Sequence, residues 1–587
     1  MPALPLAPRP SAPVRVHAPL CGAPLCGTQF RGPPLYGTRL YGTQVYRAML
    51  CSALACLALA GCAGGAAPRP PQPIAATAAA APRDFVPGDP LRIAEADTAS
   101  LAARMAGGEL TSARLTQAYL DRIAALDDAG PQLNAVIELN PNALSEARAR
   151  DEERKAGRVR GPLHGIAVLI KDNIDAVPMA NSAGSLALAA HRPKQDAPLV
   201  AALRDAGAVI LGKTNLSEWA NFRSDRSISG WSGRGGLTRN PYALDRSACG
   251  SSSGTAAAIA ASLAAVGVGT ETDGSILCPA AMNGLVGFKP SVGLVSRAGI
   301  IPISHSQDTA GPMARSVADA AQLLNVLAAA EAGGDAAAQA AAGKRAQDFA
   351  AALDADALHG ARLGLLRDTG VKTHPDQDAA LQRALKSMRD AGATVVEVRM
   401  PTEGKWNAAE FQVLLYEFKD GLQRYLQDSD APVKSLDELI AFNRANAARE
   451  MPFFGQELLE QAARKGPLTD PAYRKAAAQA RQLAGAQGID ALMKKHRLDA
   501  LIAPATAPAF MVDPVNGDQF GGSSWGAAAV AGYPSLTVPI GEAHGLPVGL
   551  AFMARRWDDA KLLSLGYAFE QLTQARTAPK YRVTLSP

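Results

Sequence analysis

The sequence predicts an α/β fold in which helices cover both faces of a β-sheet. Short apolar runs typical of buried strands occur at residues 167–170, 208–211 and 501–503. Between these runs lie longer segments in which apolar residues recur three and four positions apart, as in amphipathic helices. Strands that alternate with helices along 587 residues of globular composition favour a sheet flanked by helices.

Several elements carry local start signals. Thr111 is a good N-cap for a first helix, and Ser316 to Asp319 resembles a capping box that opens a later one. Residues 361–400 predict a strand–helix–strand unit, and the Ala-rich residues 330–360 predict a surface helical segment between two halves. The apolar face of the first helix consists of Leu115, Tyr119, Ile123 and Leu126.

The net charge of +5 comes from the N-terminus. Residues 1–62 hold five arginines and no Asp or Glu, whereas the remainder holds 54 basic and 54 acidic residues. A balanced remainder gives no electrostatic support for a nucleic-acid partner. We therefore expect no nucleic acid among the partners.

Residues 48–62 form an apolar run behind Arg47. The run is shorter than the roughly 20 residues of a membrane span and is typical of the core of a signal peptide. It ends in Leu-Ala-Gly-Cys62, which resembles the lipobox of bacterial lipoproteins. We predict that Cys62 is lipidated and becomes the first mature residue; an ordinary signal peptide is the alternative.

This N-terminus predicts export to the bacterial cell envelope, either lipid-anchored on the periplasmic side of a membrane or free in the periplasm. Near-repeats within residues 1–44 indicate that translation starts near Val45. We divide the chain into a leader with signal peptide (1–62), a flexible Ala/Pro/Gly-rich linker (63–90) and one folded domain (91–587).

Two short motifs fit enzyme families that the surrounding sequence does not support. Gly207 to Thr214 matches the phosphate-loop pattern, but its middle residues are strand formers rather than a flexible cradle. Residues 250–254 match G-x-S-x-G, which would make Ser252 the nucleophile of an α/β-hydrolase. The preceding residues contain Pro and turn formers where that elbow requires a buried strand, so we expect neither activity.

A longer, ordered set of motifs covers the same region. It comprises GPLHGIAVLIKDN around Lys171, NPYALDRSACGSSSG at 240–254 and GTETDGSILCPAAMNGLVGFKPSVG at 269–293, followed downstream by DALIAPATAP, AGYPSLTVP and GLPVGLAFMA. On these motifs, most of residues 91–575 closely resembles the amidase signature family. The resemblance implies a single α/β/α domain with a mixed, twisted sheet, and a serine amidohydrolase that uses no metal and no other cofactor.

Carried over residue by residue, the resemblance assigns three catalytic side chains. Ser275 matches the nucleophile, Ser251 the bridging serine held on a non-proline cis peptide, and Lys171 the base. A serine nucleophile needs a base within hydrogen-bond reach, and a lysine serves only if burial lowers its pKa enough to leave the amine neutral. Ser251 would relay the proton from Ser275 to Lys171. The candidate oxyanion-hole donors are the backbone N–H groups of Thr272, Asp273, Gly274 and Ser275.

Histidine- and metal-based mechanisms find less support. The eight histidines include no HExxH-like pair. A Ser-His-Asp triad stays open on spacing alone, since His305 and His544 follow Ser252 in the required order, but no strand elbow supports it. Cys249 and Cys278 each lie within three residues of a predicted catalytic serine. We expect them to be small packed residues, with a disulfide in an oxidising periplasm as the alternative.

Within the family, residues 269–320 look most like bacterial peptide amidases, which remove the C-terminal amide of peptides and release ammonia. The expected partner is therefore a peptide or small-molecule amide. A broad aryl or aliphatic amidase is the alternative, and a surface-anchored binding protein on an amidase scaffold is the non-enzymatic one. The amidase subunit of tRNA-dependent amidotransferases fits an exported protein poorly. Candidates for the substrate pocket lie within residues 405–460: Phe411, Leu415, Tyr416 and Phe418.

Overall fold

An eleven-stranded β-sheet forms the centre of the protein. The computed structural model describes residues 88–585. In chain order the strands are β1 (Val136–Leu139), β2 (Ala167–Lys171), β3 (Val209–Thr214), β4 (Trp231–Ser232), β5 (Gly236–Leu237), β6 (Val266–Glu271), β7 (Val286–Lys289), β8 (Thr309–Ala314), β9 (Arg362–Arg367), β10 (Thr394–Arg399), β11 (Ala500–Pro504), β12 (Ser535–Ala543) and β13 (Leu546–Met553).

The strands run in both directions. Their order is β1-β3-β2-β6-β8-β7-β12-β13-β11-β9-β10, with β4 and β5 forming a separate antiparallel pair. Strand β2 is parallel to β3 and β6, and β9 is parallel to β11 and β10, whereas the other neighbours are antiparallel. The predicted α/β fold with a mixed sheet is confirmed. Strands β2 and β6 are buried along their whole length, and this burial explains why β2 is a nearly continuous apolar run.

Local signals explain where two of the helices begin. The Thr111 hydroxyl accepts a hydrogen bond from the Arg114 amide, and the Ser316 hydroxyl accepts one from the Asp319 amide, so both predicted caps are confirmed. The Asp319 carboxylate binds Thr98, not Ser316, so the capping box is half formed.

The α-helices of the described residues are α1 (Thr98–Ala106), α2 (Ser112–Ile123), α3 (Ala143–Lys155), α4 (Pro198–Asp205), α5 (Ser253–Ala260), α6 (Leu277–Met282), α7 (Val317–Ala329), α8 (Ala336–Ala340), α9 (Ala342–Arg345), α10 (Pro375–Asp390), α11 (Asn407–Asp428), α12 (Leu436–Ala445), α13 (Ala447–Glu450), α14 (Glu457–Ala463), α15 (Pro471–Arg481), α16 (Ala491–His496), α17 (Gly526–Ala531) and α18 (Asp559–Thr573).

The second half of the chain begins with the predicted strand–helix–strand unit, formed by β9, α10 and β10. The segment before it is less helical than predicted. Residues 330–360 contain only the short helices α8 and α9 joined by turns. Gly333 and Gly334, both with positive φ, interrupt the Ala-rich sequence before α8, and glycine is the least favourable helix residue after proline.

The predicted N-terminal leader, signal peptide and lipidated Cys62 lie outside the described residues, as does most of the linker at 63–90. These assignments and the start near Val45 therefore stay predictions. Among residues 88–585, no helix combines the length and the apolar character needed to cross a bilayer.

Candidate active site

The candidate site lies where two parallel neighbouring strands end. Strands β2 and β6 are parallel, with Ile170 opposite Val268, so their carboxyl ends meet at one edge of the sheet. Lys171 is the last residue of β2, and the loop that carries Ser275 follows β6. The topology thus brings together two predicted residues that are about a hundred positions apart in sequence.

Lys171 is fully buried and hydrogen-bonds only uncharged oxygens. Its Nζ lies 2.8 Å from Ser251 Oγ, 2.8 Å from Thr270 Oγ1 and 3.3 Å from the Thr270 carbonyl oxygen. Asn173 Nδ2 donates to the same Thr270 hydroxyl at 3.0 Å. A neutral amine has two hydrogens and one lone pair, so it can donate twice to Thr270 and accept from the Ser251 hydroxyl.

Burial lowers the pKa of Lys171 to about 7, although the carboxylates of Asp308 and Glu271 act in the opposite direction. Loss of water disfavours the ammonium form, and no direct carboxylate partner compensates for it. A large fraction of Lys171 is consequently neutral near pH 7. Lys171 thus has the lowered pKa that a lysine needs to act as a base.

Ser251 follows a cis peptide bond from Gly250, as the resemblance implied. Its carbonyl oxygen accepts from the Ser217 amide at 3.1 Å, and the adjacent Ser252 amide donates to the Ser275 carbonyl at 3.1 Å. The bond from Ser252 to Ser275 holds the two serine loops against each other, and the bond from Ser217 fixes the Ser251 loop to a third segment. Within the described residues the hydroxyls of Ser251 and Ser275 form no hydrogen bond with each other, so only the Lys171–Ser251 contact of the predicted relay is formed. Catalytic hydrogen bonds are often long or absent without substrate.

The loop before Ser275 is anchored by Glu271. Its Oε2 accepts from the amides of Ile276 and Leu277 at 2.7 and 2.9 Å. Gly274 has φ +81°, and a Cβ there would overlap the Trp525 indole, so only glycine fits. The backbone amides of Thr272, Asp273, Gly274 and Ser275 all stay candidates for the oxyanion hole.

Acidic side chains surround the next part of this loop. Asp273 is solvent-exposed as a residue, but its carboxyl group hydrogen-bonds Trp525 and Glu410, and local desolvation together with the charge of Glu271 raises its pKa to about 6. Burial and the Asp273 charge raise the pKa of Glu410 well above its ordinary value, so Glu410 is the proton donor of the pair. Burial also raises the pKa of Glu403 to about 7. The pair ties the loop to α11 and thus supports the positioning role considered for Asp273.

Cys249 and Cys278 form a disulfide with their Cα atoms 5.9 Å apart. The expectation of two unpaired packed residues is therefore wrong, and the alternative is correct, although both residues are buried. The two loops that carry Ser251 and Ser275 bring the cysteines together, and this proximity is invisible in their sequence separation of 29. The bridge ties the Ser251 loop to α6.

The two rejected motifs have structural roles. Lys213 of the phosphate-loop pattern is a buried strand residue, and its Nζ donates to Ile174, Ala180 and Asn181 and pairs with Asp172 at 3.3 Å. Its donors are saturated by protein, which leaves none for a phosphate.

Ser252, the predicted nucleophile of the G-x-S-x-G pattern, likewise has its hydroxyl engaged in hydrogen bonds with the protein. The Ser252 hydroxyl donates to the Thr270 carbonyl at 3.1 Å and accepts from the Thr270 amide at 3.2 Å. This hydroxyl holds β6 in place and is not available for attack, which agrees with the rejection of the elbow.

A cavity of about 340 Å³ is lined by parts of α11, α15 and α17 and by the turn at His305 to Gln307, and by none of Lys171, Ser251 and Ser275. Its wall includes Gln307, whose Nε2 donates to the Thr272 carbonyl at 3.4 Å and to Glu410 at 2.9 Å. Helix α11 contributes Val413 and Glu417, which lie on one face because they are four residues apart.

The predicted pocket residues of α11 lie elsewhere. Leu415 and Phe418 belong to a separate hydrophobic core, where Phe418 packs against Phe222, and they do not line this cavity. Tyr416 bonds Asp470, and Phe411 is exposed. The assignment of these four residues to the substrate pocket stays a prediction.

Three contributors to the site were not predicted. Thr270 and Gln307 carry no signal in their sequence context, because their roles depend on contacts with distant residues. Asp308 accepts from the Thr272 hydroxyl at 2.5 Å and from two backbone amides, which steadies the same loop. Its position after a Ser-rich turn resembles many surface turns.

Known proteins resemble the chain over most of its length. An amidase family model matches residues 114–563. The native peptide amidase from Stenotrophomonas maltophilia has 58% sequence identity and a TM-score of 0.81, covering 84% of this chain and 100% of that one. A peptide amidase in complex with the competitive inhibitor chymostatin has 59% identity and the same TM-score, covering 83% and 99%. A probable amidase from Arabidopsis thaliana is 38% identical over 483 residues, 80% of this chain and 89% of its own.

Proposed function

The chain belongs to the amidase family, and from this premise we propose that its substrates are peptides with an amidated C-terminus. It is a serine amidase that hydrolyses the carbon–nitrogen bond of amides. The observation that carries the peptide proposal is the likeness to peptide amidases over nearly the whole folded part of the chain.

We propose that Ser275 attacks the amide carbon. Its hydroxyl proton passes through Ser251 to neutral Lys171, and the oxygen of the carbonyl becomes an oxyanion. The candidate donors that would stabilise that charge, which exists only near the tetrahedral state, are the backbone amides of Thr272, Asp273, Gly274 and Ser275. The bond between carbon and nitrogen then breaks, and the leaving nitrogen takes the proton back from Lys171 through Ser251.

The acyl-enzyme is resolved by water. The same relay removes a proton from the water, the new oxygen–carbon bond forms, and Ser275 leaves with the proton returned by Lys171. The products are ammonia and a peptide acid. No cofactor is needed for these steps, because each transfers only protons and one acyl group.

The test of the substrate class uses matched peptides. A short peptide amide should release ammonia and yield the free acid, whereas the same peptide extended by one residue should stay uncut, because a pocket closed beyond the scissile nitrogen excludes the extension by steric clash. Liquid chromatography with mass detection measures both products. Internal cleavage of the extended peptide at a comparable rate, or faster turnover of simple aryl amides, would favour the broad amidase instead.

We also propose that the enzyme acts in the bacterial cell envelope, held to a membrane by lipidated Cys62. The apolar run and lipobox-like end of residues 48–62 support this placement. Peptide amides from outside the cell would then reach the enzyme without crossing the inner membrane.

A further inference from the structure

Three metal-ligating side chains from two distant parts of the chain meet on the surface. His374 and Asp376 lie at the start of α10, and His544 lies in the tight turn between β12 and β13. One ligand atom from each residue lies within 4.8 Å of the other two. We propose that His374, Asp376 and His544 form a binding site for one divalent transition metal ion, with Zn²⁺ as the physiological candidate.

The spacing of the three groups fits a single ion. Asp376 Oδ2 lies 3.9 Å from His374 Nδ1 and 3.6 Å from His544 Nε2. Nitrogen and oxygen ligands about 2.0–2.1 Å from a tetrahedral zinc are about 3.3 Å from each other. Shifts of a few tenths of an ångström would therefore bring the Asp376 carboxylate and each histidine nitrogen to the spacing of two ligands of one ion. The two histidine nitrogens lie farther apart, and a tilt of the exposed imidazole rings would bring them closer.

The arrangement is not explained by core packing. The side chains are 41%, 51% and 66% exposed for His374, Asp376 and His544. The two rings nevertheless meet edge to face, with their centroids 4.9 Å apart. Exposed side chains remain free to move toward an ion, and water can supply the fourth ligand.

The chemistry of the ligands selects the ion. Imidazole suits Zn²⁺, Co²⁺, Ni²⁺ and Cu²⁺, whereas Mg²⁺ and Ca²⁺ prefer all-oxygen sites. A helix N-terminus disfavours a cation, but Asp376 and Asp378 in the first turn of α10 oppose that effect with their carboxylates. Two histidines with one carboxylate thus favour a borderline metal over a hard one.

Binding has a local structural consequence. His374 Nδ1 accepts a hydrogen bond from the Asp376 amide at 3.1 Å and so caps α10. Coordination through this nitrogen replaces the cap bond with a metal bond. The ion then joins α10 to the β12–β13 turn and links segments about 170 residues apart in sequence.

Two substitutions remove ligands while keeping the backbone they serve. His374→Asn retains an N-cap side chain, because Asn is among the best N-cap residues. His544 has φ +50°, and His544→Asn retains a residue that tolerates this conformation. His359→Ala is the matched control, since His359 is an exposed histidine outside the cluster.

The experiment is calorimetric titration of the metal-free mature protein with Zn²⁺, followed by Co²⁺ absorption spectra. Wild type and His359→Ala should each bind one ion, with the ligand-field bands of bound Co²⁺, and saturating Zn²⁺ should raise their Tm. His374→Asn and His544→Asn should bind about tenfold or more weakly, as expected when coordination is impaired, with unchanged Tm in the absence of metal. Equal Zn²⁺ affinity in wild type and both Asn variants, or no Zn²⁺ binding by wild type, overturns the proposal.

Discussion

Two fully buried lysines of this protein differ in what surrounds their amino groups. Lys213 pairs with Asp172 and donates to three further oxygens, so its amine is held by the fold. Lys171 contacts two hydroxyls and one carbonyl oxygen. Of these two lysines, only Lys171 combines a lowered pKa with a serine hydroxyl at hydrogen-bond distance, and this combination suits a base.

The activity should depend on the protonation of Lys171. Its pKa is about 7 in the folded protein, and only the neutral amine accepts a proton, so kcat/KM should rise with pH through about 7 and level off above it. Lys171→Ala should lower kcat/KM by about 10²–10⁴-fold or more. Steady-state kinetics from pH 5 to 9 on a peptide amide measure both effects.

Local desolvation raises the pKa of Asp273 and Asp308 to about 6, so these groups also titrate near this range. Comparing the Lys171→Ala profile with that of wild type separates their effects from that of the base. A near-normal kcat/KM for Lys171→Ala at neutral pH would exclude Lys171 as the base.

Neighbouring serines provide a matched pair for the nucleophile. Ser275→Ala should abolish turnover and labelling by a fluorophosphonate, while circular dichroism stays unchanged. Ser252→Ala should keep most of the activity and lose about 1 kcal/mol of stability, because it removes hydrogen bonds to buried Thr270. Activity retained by Ser275→Ala and lost by Ser252→Ala would favour a hydrolase elbow.

At the scale of elements, the Cys249–Cys278 disulfide is the covalent link between the Ser251 loop and α6. Replacing both cysteines by serine should lower the free energy of unfolding by about 3–4 kcal/mol, the chain-entropy estimate for a loop of 29 residues. It should also lower kcat more than it raises KM, because the two serine loops lose a constraint on their geometry. Denaturant unfolding and steady-state kinetics test the two effects.

The double variant is compared with wild type treated with a reductant. Both should show the same loss if the bond itself is responsible, whereas reductant should leave the variant unchanged. An unchanged kcat in the double variant would show that backbone hydrogen bonds alone hold the loops.

At the scale of the whole molecule, location should depend on one residue. Cys62→Ser removes the predicted lipidation site, so the variant should be unanchored or unprocessed, whereas wild type should partition with membranes. Incorporation of radiolabelled palmitate measures the lipid directly. Equal incorporation by the variant and wild type would contradict the anchor.

Helices and strands that carry start signals or apolar periodicity in their own sequence could be predicted. The pairing of one strand with another could not be predicted from the sequence. Thr111 and Ser316 mark helix starts because a cap acts within three residues, and Lys171 follows a recognisable buried strand. The pairing of β7 with β12 joins residues 287 and 537, and nothing in either strand specifies the other. Strand order depends on packing of the whole chain.

The same distinction applies to the site. Lys171, Ser251 and Ser275 lie in motifs with an ordered, family-specific context. Glu410 reaches Asp273 from more than a hundred residues away, and its helical context is that of an ordinary acidic surface residue. Periodicity identifies the buried face of a helix such as α11 but does not indicate which element packs against that face.

If the chain is exported as proposed, the cystine would record the compartment in which each molecule folded. A chain that folds in a reducing cytosol retains thiols at Cys249 and Cys278, whereas one that folds in an oxidising envelope has none there. Denaturing each cell fraction in the presence of a maleimide reagent would count those thiols, with the Cys249/Cys278 double variant as the blank. The ratio of the two populations would report the efficiency of export independently of any activity assay.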